Sequence, residues 1–300
     1  MKRKTVVITV VILSCVIFFG FMGAMILVGI MGDVDNEFYS GFSGFGPNVA
    51  VVEIYGAVYD SRSFVRQIVR WTDDNSVKAI VLDINSPGGA SVSFQEMYDA
   101  VLKARESGKI VVASLGTVAA SGGYYVACAA DRIVANPSTL TGSIGVIMSF
   151  PTAKKLLDKI GLKWETVKSG DLKDVGAMDR GMTPEEERML QAVIDDTYEQ
   201  FVEAVAEGRN RDKEEIYPLA DGSIFTGRQA YNMGLVDTLG TYYDALDIAG
   251  ELSGIGPKPD IVRERKRKPG LFDVLNQSLN LLERISGIEN NQPGLLYQYK

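Results

Sequence analysis

Four short segments of this 300-residue chain set small residues and hydroxyls where the backbone has to turn sharply. They are Asn85-Ser86-Pro87-Gly88-Gly89, Ala119-Ala120-Ser121-Gly122-Gly123-Tyr124-Tyr125, Thr139-Leu140-Thr141-Gly142-Ser143-Ile144-Gly145-Val146 and Lys168-Ser169-Gly170-Asp171-Leu172-Lys173-Asp174. Pro-Gly-Gly frees backbone N–H groups with no side chain in the way, and such donors can hold an oxyanion. Read alone, the same segment is a tight strand-to-helix turn. Ser121 stands where a helix begins, flanked by residues small enough to admit a substrate backbone. It is either a nucleophile or an N-cap, serine being a preferred cap.

No histidine occurs in the sequence. A Ser-His-Asp triad, a Cys-His dyad, an HExxH zinc site and any imidazole base are therefore excluded. A serine nucleophile must rely on another base, and lysine serves when burial lowers its pKa towards neutrality. Ser143 can orient such an amine by hydrogen bonding. The G-x-S-x-G elbow, the S-x-x-K pair, the P-loop and the strand-linked G-x-G-x-x-G fingerprint are all absent. Cofactor chemistry has no foothold, and no metal site is expected. The two cysteines, Cys15 and Cys128, lie over a hundred residues apart and write no disulfide framework. Cys128 reads as a small buried helix residue.

The elements that must position these segments alternate. Val49–Tyr55, Ala79–Ile84, Ile110–Ser114 and Ile133–Ala135 read as buried strands, and 92–106 and 122–130 as helices. Ile144–Phe150 and Trp164–Val167 look extended, and 184–207 is a long helix with Thr183 as N-cap. Such alternation implies a layered α/β fold with mostly parallel pairing.

Charge is unevenly spread. The chain has 31 basic and 38 acidic residues, a net −7, with 46% apolar and 23% charged residues. Residues 1–32 and 261–300 each carry +3, which leaves −13 for the body between them. An acidic body argues against a nucleic-acid partner. Between Lys4 and Asp33 no charged residue occurs, a run long enough to cross a bilayer as a helix. A cleavable signal would have a shorter apolar region, and the run continues well past Cys15, against lipidation there. Lys2, Arg3 and Lys4 place the N-terminus in the cytoplasm and everything after Asp33 outside it. Residues 33–48, with Gly41, Gly44, Gly46 and Pro47, read as a linker.

Five segments in register carry a family resemblance. The four above and a fifth, Asp221-Gly222-Ser223-Ile224-Phe225-Thr226-Gly227-Arg228-Gln229-Ala230 followed by Gly234-Leu235-Val236-Asp237, make the chain resemble signal peptide peptidase A, short single-repeat form, over residues 49–250. The resemblance implies a Clp-protease/crotonase-like α/β fold of repeated strand-strand-helix units, and a Ser-Lys dyad without cofactor or metal. By position, Ser121 is the nucleophile, Lys173 the general base and Ser143 the residue that positions the lysine. The turn at Gly88-Gly89 and the Ser121 N–H match the oxyanion hole, with the donating glycine left open. Lys168 is the rival base. The resemblance also implies a homo-oligomeric ring and substrates such as signal-peptide remnants and unfolded apolar peptides, cleaved faster as pH rises and the amine loses its proton.

Beyond residue 250 the resemblance fades. Arg263-Glu264-Arg265-Lys266-Arg267-Lys268 precedes a helical pattern over 271–285 with Leu271, Val274, Leu275, Leu282 and Ile285 on one face. Such a tail lies on an anionic bilayer or docks on the body or a neighbour. Two rival functions stand beside peptidase. One is a crotonase-like acyl-CoA enzyme, which the membrane anchor and the Ser121-Lys173 pair oppose. The other is a non-catalytic membrane scaffold.

Overall fold

The computed structural model describes residues 48–264 and the backbone of Leu296–Gln298. The expected membrane segment, the linker up to Asn48 and the tail helix over 271–285 lie outside the described residues. Among the described residues no helix is long and apolar enough to cross a membrane. In chain order the elements are β1 (Asn48–Tyr55), α1 (Arg62–Asp73), β2 (Val77–Ser86), β3 (Gly88–Ala90), α2 (Ser91–Glu106), β4 (Ile110–Ala120) and α3 (Gly122–Ala127). There follow β5 (Arg132–Ala135), β6 (Leu140–Gly142), α4 (Lys154–Ile160), α5 (Pro184–Arg209), α6 (Lys213–Ile216), β7 (Ile224–Thr226) and α7 (Gly227–Asn232). The last are β8 (Thr238–Leu239), α8 (Tyr242–Leu252), β9 (Asp260–Arg263) and β10 (Leu296–Gln298).

The main sheet runs β7-β6-β4-β2-β1-β9, with β5 beside β4 and β8 beside β5. Every pairing in it is parallel except β6 with β7. This is the mixed α/β architecture expected, rich in parallel pairs and consistent with a Clp-protease-like fold. The strand-strand-helix repeat is visible in β2-β3-α2, whereas β1-α1 and β4-α3 carry one strand per helix.

Parallel strands covered on both faces are apolar throughout rather than alternating with polar residues. β1 and β2 follow that rule. Ala50, Val52 and Ile54 face a core shared with Phe64, Phe94, Tyr124 and Phe201, while Val49 and Val51 face a second one under Ala245, Leu246 and Ala249 of α8. Each fully buried Val, Leu, Ile or Phe contributes about 1.5–3 kcal/mol, so these layers dominate the stability of the body. The sequence reading did not anticipate α1. Its Phe64, Ile68 and Trp71 form a one-sided stripe among Arg62, Arg66 and Arg70, too narrow to stand out from its charged surroundings.

Other boundaries moved. β4 continues six residues past Ser114 to Ala120 because it changes partners. Its first half lies between β2 and β5, and Val118–Ala120 pair with β6 instead. α3 stops at Ala127 rather than at 130. Neither Ile144–Phe150 nor Trp164–Val167 forms a strand of the sheet. The sheet also extends past residue 250, since β9 pairs with β1. α5 begins as read: Thr183 Oγ1 accepts from the Glu186 N–H, the Glu186 carboxylate accepts from the Thr183 N–H, and Pro184 opens the helix.

Candidate active site

Strand register brings three of the four chemical segments to one end of the sheet. Ser86 lies opposite Ala119, and Ala120 opposite Gly142. Ser121 and Ser143 are the next residues along their own strands, and Gly88-Gly89 follows Ser86 past one proline. In open α/β sheets, the crevice outside the carboxyl ends of parallel strands is where ligands bind. α3 closes tightly on this end, for a Cβ on Gly123 would stand 2.8 Å from the Ser86 carbonyl oxygen and one on Gly122 2.4 Å from the Phe94 ring.

Ser121 caps α3 with φ 54° and ψ −119°. A residue with a Cβ rarely adopts that conformation, which costs of order 1–3 kcal/mol and is held only by surrounding structure. The hold is visible: the Ser121 N–H donates to the Gly142 carbonyl (2.8 Å) and its carbonyl accepts from the Tyr125 N–H (2.8 Å). Its side chain caps nothing. Ser121 is 1% exposed and its Oγ has no hydrogen-bond partner. A buried hydroxyl without a partner is costly and calls for an explanation. The Ser121 N–H, expected in the oxyanion hole, is committed to Gly142 in this structure. Ser143 has φ 50° and donates its N–H to the Ser223 carbonyl (2.7 Å).

The glycine pair separates into two roles. The Gly88 N–H donates to Ser86 Oγ (3.2 Å), which itself donates to the Gly56 carbonyl (2.6 Å). Val58 grips β3 on one side: its N–H donates to the Gly88 carbonyl (3.1 Å), and its carbonyl accepts from the Ala90 N–H (2.9 Å). No peptide bond among the described residues is cis. In a planar trans peptide the C=O and N–H point in opposite directions. The Gly89 N–H and C=O therefore both face away from Val58. Only glycine fits there, because a Cβ at residue 89 would stand 2.0 Å from the Val58 oxygen.

The fourth segment is placed differently. Lys173 is exposed and its amine makes no hydrogen bond or ion pair among the described residues. Lys168, by contrast, donates to the Asp171 carbonyl and to Asp174 Oδ1, both at 2.7 Å. Asp174 also binds Arg180, which reaches the buried carboxylate of Glu186. Hydrogen bonds from Arg180 and then Lys168 hold the Asp174 carboxyl well below its usual range, and Arg180 lowers Glu186 to about 2. Since Ser121 Oγ has no partner, this chain by itself does not join Ser121 to Lys173. From Gly145 to Glu185 no residue is buried, and Leu156, Ile160, Leu162, Trp164, Val167 and Met178 are exposed.

Other nucleophiles and ligands drop away. Burial pushes the Cys128 thiol up to about 12, so it packs rather than reacts, as its sequence surroundings suggested. No cluster of three or more metal-ligating side chains stands among the described residues.

The model of peptidase family S49 matches residues 103–256, just over half of the sequence. The chain belongs to peptidase family S49. A Clp protease model also matches residues 48–140, the stretch that holds the glycine pair and Ser121. Among its relatives, a protein of Synechocystis named as a protease is 44% identical over 210 residues, 70% of this chain and 76% of its own length. A protein of Enterococcus faecium named as a signal peptide peptidase is 39% identical over 63% of this chain and 55% of its own length. Protease 4 of Salmonella typhi is 41% identical over 69% of this chain and only 35% of its own length. The match thus spans little over half of one of these relatives and about a third of another.

The main-chain partners escaped the sequence reading. Val58, the Gly142 carbonyl and the Ser223 carbonyl act through backbone atoms that any residue supplies, so no residue type announces them. The Arg180–Glu186 pair left one trace, a carboxylate at the third position of α5.

Proposed function

We propose that this S49 peptidase is a serine endopeptidase in which Ser121 attacks the peptide carbonyl and Lys173 is the general base. One observation carries the reading: a buried hydroxyl without a partner on a strained turn, at the same sheet end as a glycine whose N–H is turned away from Val58. Neutral Lys173 takes the Oγ proton as the serine attacks, and then delivers it to the leaving amine. The Gly89 N–H stabilises the oxyanion, joined by the first N–H groups of α3, which lack intrahelical acceptors. Water then hydrolyses the acyl-enzyme. Ser143 orients the amine. Lys168 is a poor base because its amine is already engaged by the Asp171 carbonyl and the Asp174 carboxylate.

A neutral amine needs shelter from water, and Lys173 is exposed in the isolated chain. We therefore place the working enzyme in a homo-oligomer whose second copy covers the apolar surface between Gly145 and Glu185. That assembly, the anchoring of residues 1–32 in the cell membrane with the catalytic body outside the cytoplasm, and a preference for remnant signal peptides and other unfolded apolar segments form one proposal. Substrates threaded as extended chains suit a serine buried at a strand end. An acyl-CoA reaction would leave the Ser121 hydroxyl without a task, and a scaffold would leave it unreactive.

The test is direct. A serine-reactive phosphonate should label the full-length protein at Ser121, and Ser121→Ala should lose both labelling and hydrolysis of an apolar peptide. An unlabelled, inactive wild-type protein would sink the reading in favour of the scaffold.

A further inference from the structure

The residue that follows Lys173 is an acid. The two Cα atoms are about 3.8 Å apart, and a free carboxylate on Asp174 would sit within the span of the flexible lysine stem. An opposite charge so close favours the charged amine, the form that cannot accept a proton. The structure sends that carboxylate elsewhere. Asp174 Oδ1 accepts from Lys168 Nζ (2.7 Å) and Arg180 Nη2 (2.8 Å), and Oδ2 accepts from Arg180 Nε (3.2 Å). Arg180 Nη2 also donates to the Asp174 main-chain carbonyl (3.3 Å). Both oxygens are thus engaged. Arg180 is fixed in turn, since Nη1 donates to the Gly181 carbonyl (3.0 Å) and to Glu186 Oε2 (2.8 Å), and Nη2 to Glu186 Oε1. The Glu186 side chain is 1% exposed and belongs to the cap of α5, where its Oε2 accepts from the Thr183 N–H (2.8 Å).

We infer that Arg180 is a positioning residue for the reaction: by holding both oxygens of the Asp174 carboxylate, it keeps that charge off the Lys173 amine. The consequence for hydrolysis rests on the reading of Lys173 as base; the shielding of the amine does not. Arginine suits the task because its planar fork binds two carboxylate oxygens at once, which a single ammonium does not. The hydrogen bonds from Arg180 and Lys168 hold the Asp174 carboxyl well below its usual range, so the negative charge persists at any working pH and has to be matched rather than protonated. Lys168 matches it at one oxygen only. Of the other carboxylates on this loop, Asp171 is exposed, where water screens its charge, and Asp179 adjoins Arg180 rather than Lys173. The Asp174 side chain is 15% exposed, and there a charge acts through a less screening medium.

Modification of Lys173 by an amine-reactive activated ester, followed against pH by peptide mass spectrometry in the full-length protein, reads the shielding without catalysis. Arg180→Ala should move the midpoint of Lys173 modification up by about one pH unit, a roughly tenfold loss of reactive amine below it. Adding Asp174→Asn to Arg180→Ala removes the released charge and should bring the midpoint back. Both proteins lack the guanidinium, so a merely structural role for Arg180 would leave them alike. Asp174→Asn alone should move the midpoint down, because Lys168 then stands unopposed. An unmoved midpoint in Arg180→Ala, or a shift that Asp174→Asn does not reverse, overturns the inference. The pH midpoint of kcat/KM for an apolar peptide should follow the same shifts in the same order. Modification midpoints that move while the kcat/KM midpoint stays fixed, or in a protein without hydrolysis, would uphold the shielding and reject Lys173 as the base.

Discussion

Residues 48–144 and 145–185 are built on opposite plans. In the first, strands are sealed on both faces and the side chain of Ser121 is fixed by a turn held on either side by main-chain bonds. In the second, nothing is buried over 41 residues, short helix α4 included, and Arg180 ties Asp174 to Glu186 by ion pairs. The proposed nucleophile is thus held in place by the fold, whereas its proposed base stands on an unburied surface. A site divided in this way can be synthesised as an inactive single chain and switched on by assembly.

The largest effect should come from separating the two lysines. Lys173→Ala should cut kcat by about 10²–10⁴ with circular dichroism unchanged, and Lys168→Ala should stay within several-fold of wild type. The reverse order would move the base to Lys168. Mixing Lys173→Ala with Ser121→Ala protein sharpens the contrast: recovered activity means that a neighbour completes the site, and none means that each chain closes on itself.

Acid should then divide the regions. Glu186 sits at about 2 against an ordinary 4.5, and Asp174 is lowered as well, so both carboxylates bind protons more weakly folded than unfolded. Their stabilisation is complete above the ordinary carboxylate range and is lost as pH falls through the folded values. Exchange or limited proteolysis across residues 171–186 should therefore rise on acidification before the sheet opens. Arg180→Ala should show that opening already at neutral pH. Simultaneous loss of both regions would contradict the division.

The smallest effect probes the packed side. Tyr124 is fully buried and donates its hydroxyl to the Leu235 carbonyl at 2.8 Å. Tyr124→Phe strands that carbonyl and should cost about 1–3 kcal/mol in urea unfolding, without altering exchange between 171 and 186.

The same division governed what could be read from the residues. Apolar runs such as Val49–Tyr55 and the Pro-Gly-Gly and Ala-Ser-Gly-Gly turns report their own surroundings, so strands, the parallel layering and the strand-end cluster were legible. β4 was cut short because Gly116 and Thr117 resemble a loop, although β4 runs through them into its second partner. α1 was hidden by its arginines. The extended character read into Trp164–Val167 rested on apolar residues, and apolar residues on an unburied surface pair with no strand. Hydroxyl and amine types marked Ser121, Ser143 and Lys173 as candidates. What their spacing did not carry was the direction of each N–H, which turns the Ser121 amide to Gly142 and the Gly89 amide away from Val58.

Val58 shows how far such anonymity reaches. It orients the Gly89 amide through a carbonyl and an N–H, while its side chain packs against the core. Any residue with an N–H there can make the same two bonds, whereas proline would release the Gly88 carbonyl and let the Gly89 amide swivel. The direction of that amide thus depends on a position whose contribution is made by backbone atoms and is closed to proline alone.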